Sequence, residues 1–186
     1  GGKLQRCACK QAEDAAKLQK LCGLTAAERD YRLSRILSDG DTGRMVQAAA
    51  DFIPAPTGIL TLWGTTGNAK TVVLMSIVNE CVERGMGAVY LTGFDLVGYI
   101  RDAFKEDESA LARIRRFENV PVLCLDELDK IKWTEWVEEQ ITELIDRRYR
   151  LGLEGGYGTV IAMNKNPNEL PTWIYSRLSD GRNKII

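Results

Sequence analysis

Apolar residues recur along this chain in two rhythms, short near-continuous runs and longer segments in which they return three or four positions apart. The short runs are Ile59 to Trp63, Ala88 to Thr92, Val120 to Leu125 and Thr159 to Met163, with Lys184 to Ile186 as a candidate fifth. They read as strands, and their unbroken apolar character suits strands covered on both faces. The periodic segments between them, at about Lys70 to Arg84, Asp95 to Phe104, Ser109 to Phe117, Thr134 to Leu151 and Thr172 to Leu178, read as helices. This alternation predicts an α/β domain built on a mostly parallel five-stranded sheet.

Ahead of the first strand the pattern is helical. Ala12 to Leu21 is rich in Ala and Lys, with Gly23 as a stop. Thr25-Ala-Ala-Glu28 has the form of a capping box and is expected to open a helix carrying Tyr31, Leu33, Ile36 and Leu37. Ser38 to Gly43 should break it, and a second helix is expected from about Arg44 to Phe52. Residues 1–53 therefore read as a short helical extension and residues 54–186 as the core domain.

A chain of 186 residues with 45% apolar and 27% charged positions suits one soluble domain with a sizeable core. No run approaches the roughly 18 apolar residues of a membrane span, and the N-terminus lacks the apolar centre of a signal peptide, so no membrane partner and a cytoplasmic location are expected. The five cysteines, at 7, 9, 22, 81 and 124, are odd in number and irregularly spaced, which argues against a disulfide framework. There is no histidine. That excludes His-based triads, bases and metal sites, and leaves a carboxylate as the general base. With a net charge of −1 there is no global footprint for nucleic acid, so any such contact must be local or made by an assembly.

The chemistry concentrates in GTTGNAKT, Gly64 to Thr71, set between the first strand and a helix. A phosphate-binding loop needs that setting: backbone N–H groups cradle phosphates, Lys reaches the terminal ones and the hydroxyl binds Mg²⁺. The helix N-terminus adds unpaired N–H groups and the positive end of a dipole. Gly64, Lys70 and Thr71 match the pattern and Gly67 gives flexibility within the loop, but Ala69 stands where the second Gly is usual. A helix-compatible backbone at the helix entrance would accommodate its methyl group.

Val120 to Leu125 runs into Asp126-Glu127, an apolar strand ending in two acids. Such a pair suits an Asp that holds Mg²⁺ and a Glu that polarises the attacking water. Asn164 follows the next strand at the same sheet edge, where its amide can orient water or phosphate; Asn164 to Pro167 is also good turn chemistry. Arg177, in Tyr175-Ser-Arg-Leu, and Arg182 suit either a surface ion pair or a finger reaching a neighbouring subunit's phosphate. The clusters Arg113, Arg115, Arg116 and Arg147, Arg148, Arg150, with Tyr149, are candidate nucleic-acid contacts, although Arg148 shares a helix face with Val137, Ile141, Leu144 and Ile145.

Taken in order, these elements resemble AAA+ ATPases of the helicase-loader type, the DnaC-like and IstB-like group. GTTGNAKT stands as Walker A, VPVLCLDE as Walker B, IAMN as sensor 1 ending in Asn164, and YSRL where that group carries its arginine finger, here Arg177. The resemblance runs from about Gly58 onward and is more specific for AAA+ than for the loader subgroup. It implies a three-layer P-loop NTPase core using ATP and Mg²⁺, with Gly64, Thr65, Thr66, Gly67, Asn68, Ala69, Lys70 and Thr71 around the nucleotide. Lys70 would bind the β- and γ-phosphates, Thr71 and Asp126 the Mg²⁺, Glu127 would activate water, Asn164 would position it and Arg177 would act in trans.

The same resemblance implies head-to-tail self-assembly, binding to single-stranded DNA and action on a replicative helicase in a bacterial or phage setting. Its alternatives are a transposition helper that delivers a transposase, and a nucleotide-gated binding module with little hydrolysis. Members often carry an N-terminal zinc-binding cysteine cluster, and Gly2 to Cys9 is similar to its second half; zinc at Cys7 and Cys9 would need ligands beyond this sequence. Ala69, and an end at Ile186 ahead of any sensor 2 arginine or lid, are departures from the pattern.

Overall fold

The computed structural model describes residues 22–37, 39–103 and 109–186. The order is α1 (Gly40–Phe52), β1 (Gly58–Trp63), α2 (Lys70–Glu83), β2 (Ala88–Thr92), α3 (Gly93–Asp102), α4 (Ala110–Glu118), β3 (Val122–Asp126), α5 (Glu135–Glu154), β4 (Gly158–Met163), α6 (Thr172–Leu178) and β5 (Lys184–Ile185). The five strands form one sheet in the order β2-β3-β4-β1-β5, and every pairing is parallel. Helices cover both faces, giving the expected three-layer α/β architecture.

Strand residues alternate between the two helical layers. Leu60, Leu62, Val122, Cys124, Val160 and Ala162 join α1 and α2 in one cluster. Ile59, Leu123, Leu125, Ile161 and Met163 join the other, with apolar residues of α3 to α6. Cys22, Leu24 and Leu33 also lie in the first cluster, so the residues ahead of β1 share the core of the sheet. The Cys22 carbonyl accepts from Tyr90 N at 2.8 Å, which pairs the chain with the β2 edge.

Local chemistry sets the boundaries that differ from expectation. The third helix begins at Gly93, two residues before the expected Asp95, because Thr92 caps it: Thr92 Oγ1 accepts from Asp95 N at 3.1 Å and the Asp95 carboxylate accepts from Thr92 N. Phe104, the expected end of that helix, lies outside the described residues, as do the expected helix at Ala12 to Leu21 and the pair Cys7 and Cys9. β3 starts at Val122 rather than Val120 and takes in Asp126.

Two expectations ahead of β1 are corrected. Thr25 and Glu28 do make the capping-box bonds, yet only short 3-10 turns follow, at Glu28–Asp30 and Leu33–Arg35, with Tyr31 and Ile36 extended. The helical carbonyls have other partners. Asn79 Nδ2 donates to the Glu28 and Tyr31 carbonyls, the Arg32 guanidinium to those of Arg29 and Tyr31, and Leu33 N to the Glu80 carboxylate. Gly40 to Gly43, expected to break structure, instead begin α1.

Candidate functional site

The loop between β1 and α2 and the C-terminal end of β3 face one cleft. The cleft has a volume of about 430 Å³ and is lined by Thr66 to Val72, Asp126, Glu127, Lys130, Met163 and Asn164. In the sheet β4 lies between β1 and β3, so Asn164, just past its end, sits between the glycine loop and the acidic pair. Ligand clefts of open α/β sheets lie at this edge.

Gly64 and Gly67 have φ of 140° and 90°, values that favour glycine. Ala69 is the correction here: its φ of 63° and ψ of 12° are left-handed, not helix-compatible. The loop keeps the backbone turn that a glycine would make, and the methyl group is carried at a steric cost of about 1–2 kcal/mol. Glu127 is also left-handed, with φ of 55°. Non-glycine residues held this way concentrate at functional positions, and here both line the cleft.

Lys70 is buried, and its ammonium donates to the carbonyls of Gly64 and Thr65 at 2.8 Å and to Asn68 Oδ1 at 2.7 Å. Burial lowers its pKa, opposed by Asp126 and Asp129. Thr71 Oγ1 donates to Asp126 Oδ2 at 2.6 Å, and Glu127 N donates to Asp126 Oδ1 at 2.8 Å. Glu127 Oε1 pairs with Lys130 Nζ at 2.5 Å. That bond raises the Lys130 pKa.

The chemistry of the donors fits Mg²⁺. One hydroxyl and one carboxylate converge at the cleft, and Mg²⁺ takes its remaining ligands from water and phosphates. Such a site needs no all-protein cage.

Arg177 lies outside this cleft. Its Nε donates to Asp146 Oδ1 at 2.8 Å, and its guanidinium stacks 5.0 Å from the Tyr149 ring centroid. It lines a separate, larger cavity of about 710 Å³ between α5 and α6, beside Trp173 and several glutamates.

The basic clusters are mostly occupied within the fold. Arg148 is buried and Arg113 nearly so, the latter donating to the Tyr99 carbonyl. Arg147 pairs with Glu118 and Glu143, and Arg150 with Asp146. Tyr149 donates to Asp180 and lies beneath Arg177 and Arg182. Arg113 and Arg148 are therefore corrected from candidate nucleic-acid contacts to internal residues.

Two residues beside the cleft were not singled out from the sequence. Lys130 stands three residues after Glu127, a spacing at which side chains meet within one turn. Tyr90, on β2, donates to Asp126 Oδ2 at 3.0 Å; only the sheet register brings it there.

The family of ATPases associated with various cellular activities (AAA) matches residues 60–182. The chain belongs to this family. Over 157 residues it is 26% identical to the replicative helicase loader DnaI of Bacillus subtilis (strain 168), covering 82% of this chain and 47% of that protein. Over 98 residues it is 33% identical to a protein of insertion sequence IS5376 from Geobacillus stearothermophilus described as ATP-binding, covering 53% of this chain and 38% of that one. The chain thus spans less than half the length of these relatives. Among solved structures it is similar to the replication initiator DnaA bound to AMPPCP and single-stranded DNA, with a TM-score of 0.74 at 17% identity over 84% of this chain and 49% of that one. This AAA+ chain is thus related to helicase loaders and to IstB-like proteins, and its family uses nucleotide and Mg²⁺. Among the described residues no helix is long and apolar enough to cross a membrane.

Proposed function

We propose that this chain binds ATP with Mg²⁺ in the cleft between β1 and β3 and hydrolyses it slowly. It does so as a head-to-tail assembly in the cytoplasm that binds single-stranded DNA and loads or remodels a replicative helicase. The observation that carries the nucleotide reading is the meeting of Lys70, Thr71, Asp126, Glu127 and Asn164 at one cleft. The loop N–H groups of residues 64–69 and the α2 N-terminus favour phosphates, and the Lys70 ammonium exchanges its carbonyl partners for the β- and γ-phosphate oxygens. Bound Mg²⁺ neutralises charge on the phosphates; Thr71 and Asp126 would hold it.

Glu127 accepts the proton of the attacking water once its carboxylate leaves Lys130, and Asn164 orients that water. Arg177 stands away from its own cleft, paired with Asp146, and its role on a neighbour's γ-phosphate rests on the resemblance. The helicase reading rests on the DnaI relative and on resemblance, and the DNA reading on resemblance and the similarity to DnaA.

ATP turnover per subunit, measured across protein concentrations with and without single-stranded DNA, tests this. Turnover should rise with concentration and DNA and collapse in Arg177→Ala. A rate independent of both would exclude a composite catalytic site. The IS5376 relative favours a second reading, a transposition helper. Affinity capture separates the two by returning either a helicase or a transposase.

A further inference from the structure

We infer that Tyr90 is a positioning residue for Asp126, fixing its carboxylate in the orientation that holds Mg²⁺. The inference rests on the nucleotide-site reading and adds to it a residue outside the Walker elements.

Tyr90 and Asp126 belong to neighbouring parallel strands in which Tyr90 lies opposite Cys124 and Thr92 opposite Asp126. Tyr90 is therefore a diagonal neighbour of Asp126 on the same sheet face, a separation that only a long or aromatic side chain spans. The ring is buried, with 8% of the residue exposed, and its hydroxyl donates to Asp126 Oδ2 at 3.0 Å. The same oxygen accepts from Thr71 at 2.6 Å, while Oδ1 accepts from the Glu127 amide.

Three donors thus fix the carboxylate plane. One of them, the Thr71 hydroxyl, is itself a group that would hold the metal, whereas the Glu127 amide and the Tyr90 hydroxyl would not. The Glu127 amide holds Oδ1, so Tyr90 is the partner that shares Oδ2 with Thr71, and it sits in a strand, its own amide bonded to the Cys22 carbonyl at 2.8 Å. With Thr71 given over to the metal, Tyr90 would still hold Oδ2 in place. Partners that orient a metal's ligand typically contribute about 10- to 100-fold in metal affinity.

Tyr90→Phe keeps the ring and removes only the donor. The test is a titration of a fluorescent ATP analogue into wild type and variant, first in EDTA and then against increasing Mg²⁺. The expected result is an unchanged affinity in EDTA, within about twofold, and a Mg²⁺ requirement about tenfold higher in the variant. An unchanged affinity in EDTA also reports an intact loop and fold. Equal Mg²⁺ requirements would overturn the inference, as would equal losses with and without metal, which would make Tyr90 merely structural. Wild type that binds no nucleotide under either condition would instead overturn the nucleotide-site reading itself.

Discussion

Thr71 Oγ1 lies 2.6 Å from Asp126 Oδ2, although the strands leading to the two residues are separated in the sheet by β4. The bond joins the first turn of α2 to the end of β3 and closes the floor of the cleft. Thr71→Ala should cost about 1 kcal/mol of stability for the lost hydrogen bond, and tenfold or more in the Mg²⁺-dependent part of nucleotide binding. Urea unfolding and a metal titration measure the two effects separately.

Ala69 carries a methyl group in a left-handed backbone. Glycine relieves the steric cost but loses more entropy on folding, so Ala69→Gly should stabilise by about 0.5–1 kcal/mol, roughly 2 °C in melting temperature. A β-branched residue there should destabilise. A melting curve on each variant decides, and a lower melting point for the glycine variant would contradict the strain.

Arg148 is 1% exposed and its guanidinium makes five hydrogen bonds. It donates to Thr159 Oγ1 and to the carbonyls of Phe117, Glu118, Val120 and Gly158. Burial lowers its pKa to about 10, which still leaves it protonated at neutral pH, so its hydrogen bonds are charge-assisted. It ties α5 to the segment entering β3 and to the start of β4. Arg148→Met should cost about 3–5 kcal/mol by leaving those oxygens without donors, read from the midpoint of chemical unfolding.

The fold and the cleft were legible in the sequence for one reason, the local character of their signals. Apolar runs and the spacings of Gly64 to Thr71 and of Asp126-Glu127 are properties of contiguous residues. What misled was decided by distant partners. The segment after Thr25 is helical by its own pattern, but Asn79 and Glu80 on α2 bond the very groups a helix would use. Arg148 reads both as part of a basic run and as a member of the apolar face of its helix, and the oxygens of α4 and β4 decide for the second. Tyr90 has no local signal at all, since only the β2–β3 register brings it to Asp126.

Burial raises the pKa of Cys81 to about 12, and that of Cys124 higher than the ordinary thiol range. A raised thiol pKa keeps the reactive thiolate scarce near pH 8 in the folded state, whereas the unfolded chain ionises near its ordinary value of about 8.5. Maleimide labelling of these two cysteines, mapped by mass spectrometry, should therefore track global unfolding and stay negligible in native protein at pH 8. Rapid labelling without denaturant would contradict their place in the core.

The most direct test of the nucleotide cleft is the affinity of wild type and Lys70→Ala for ATP in the presence of Mg²⁺. Charge-assisted bonds of about 1.5–3 kcal/mol predict a loss of about 100-fold in the variant, with hydrolysis abolished. Unchanged binding and turnover in Lys70→Ala would contradict the assignment of this loop to the phosphates.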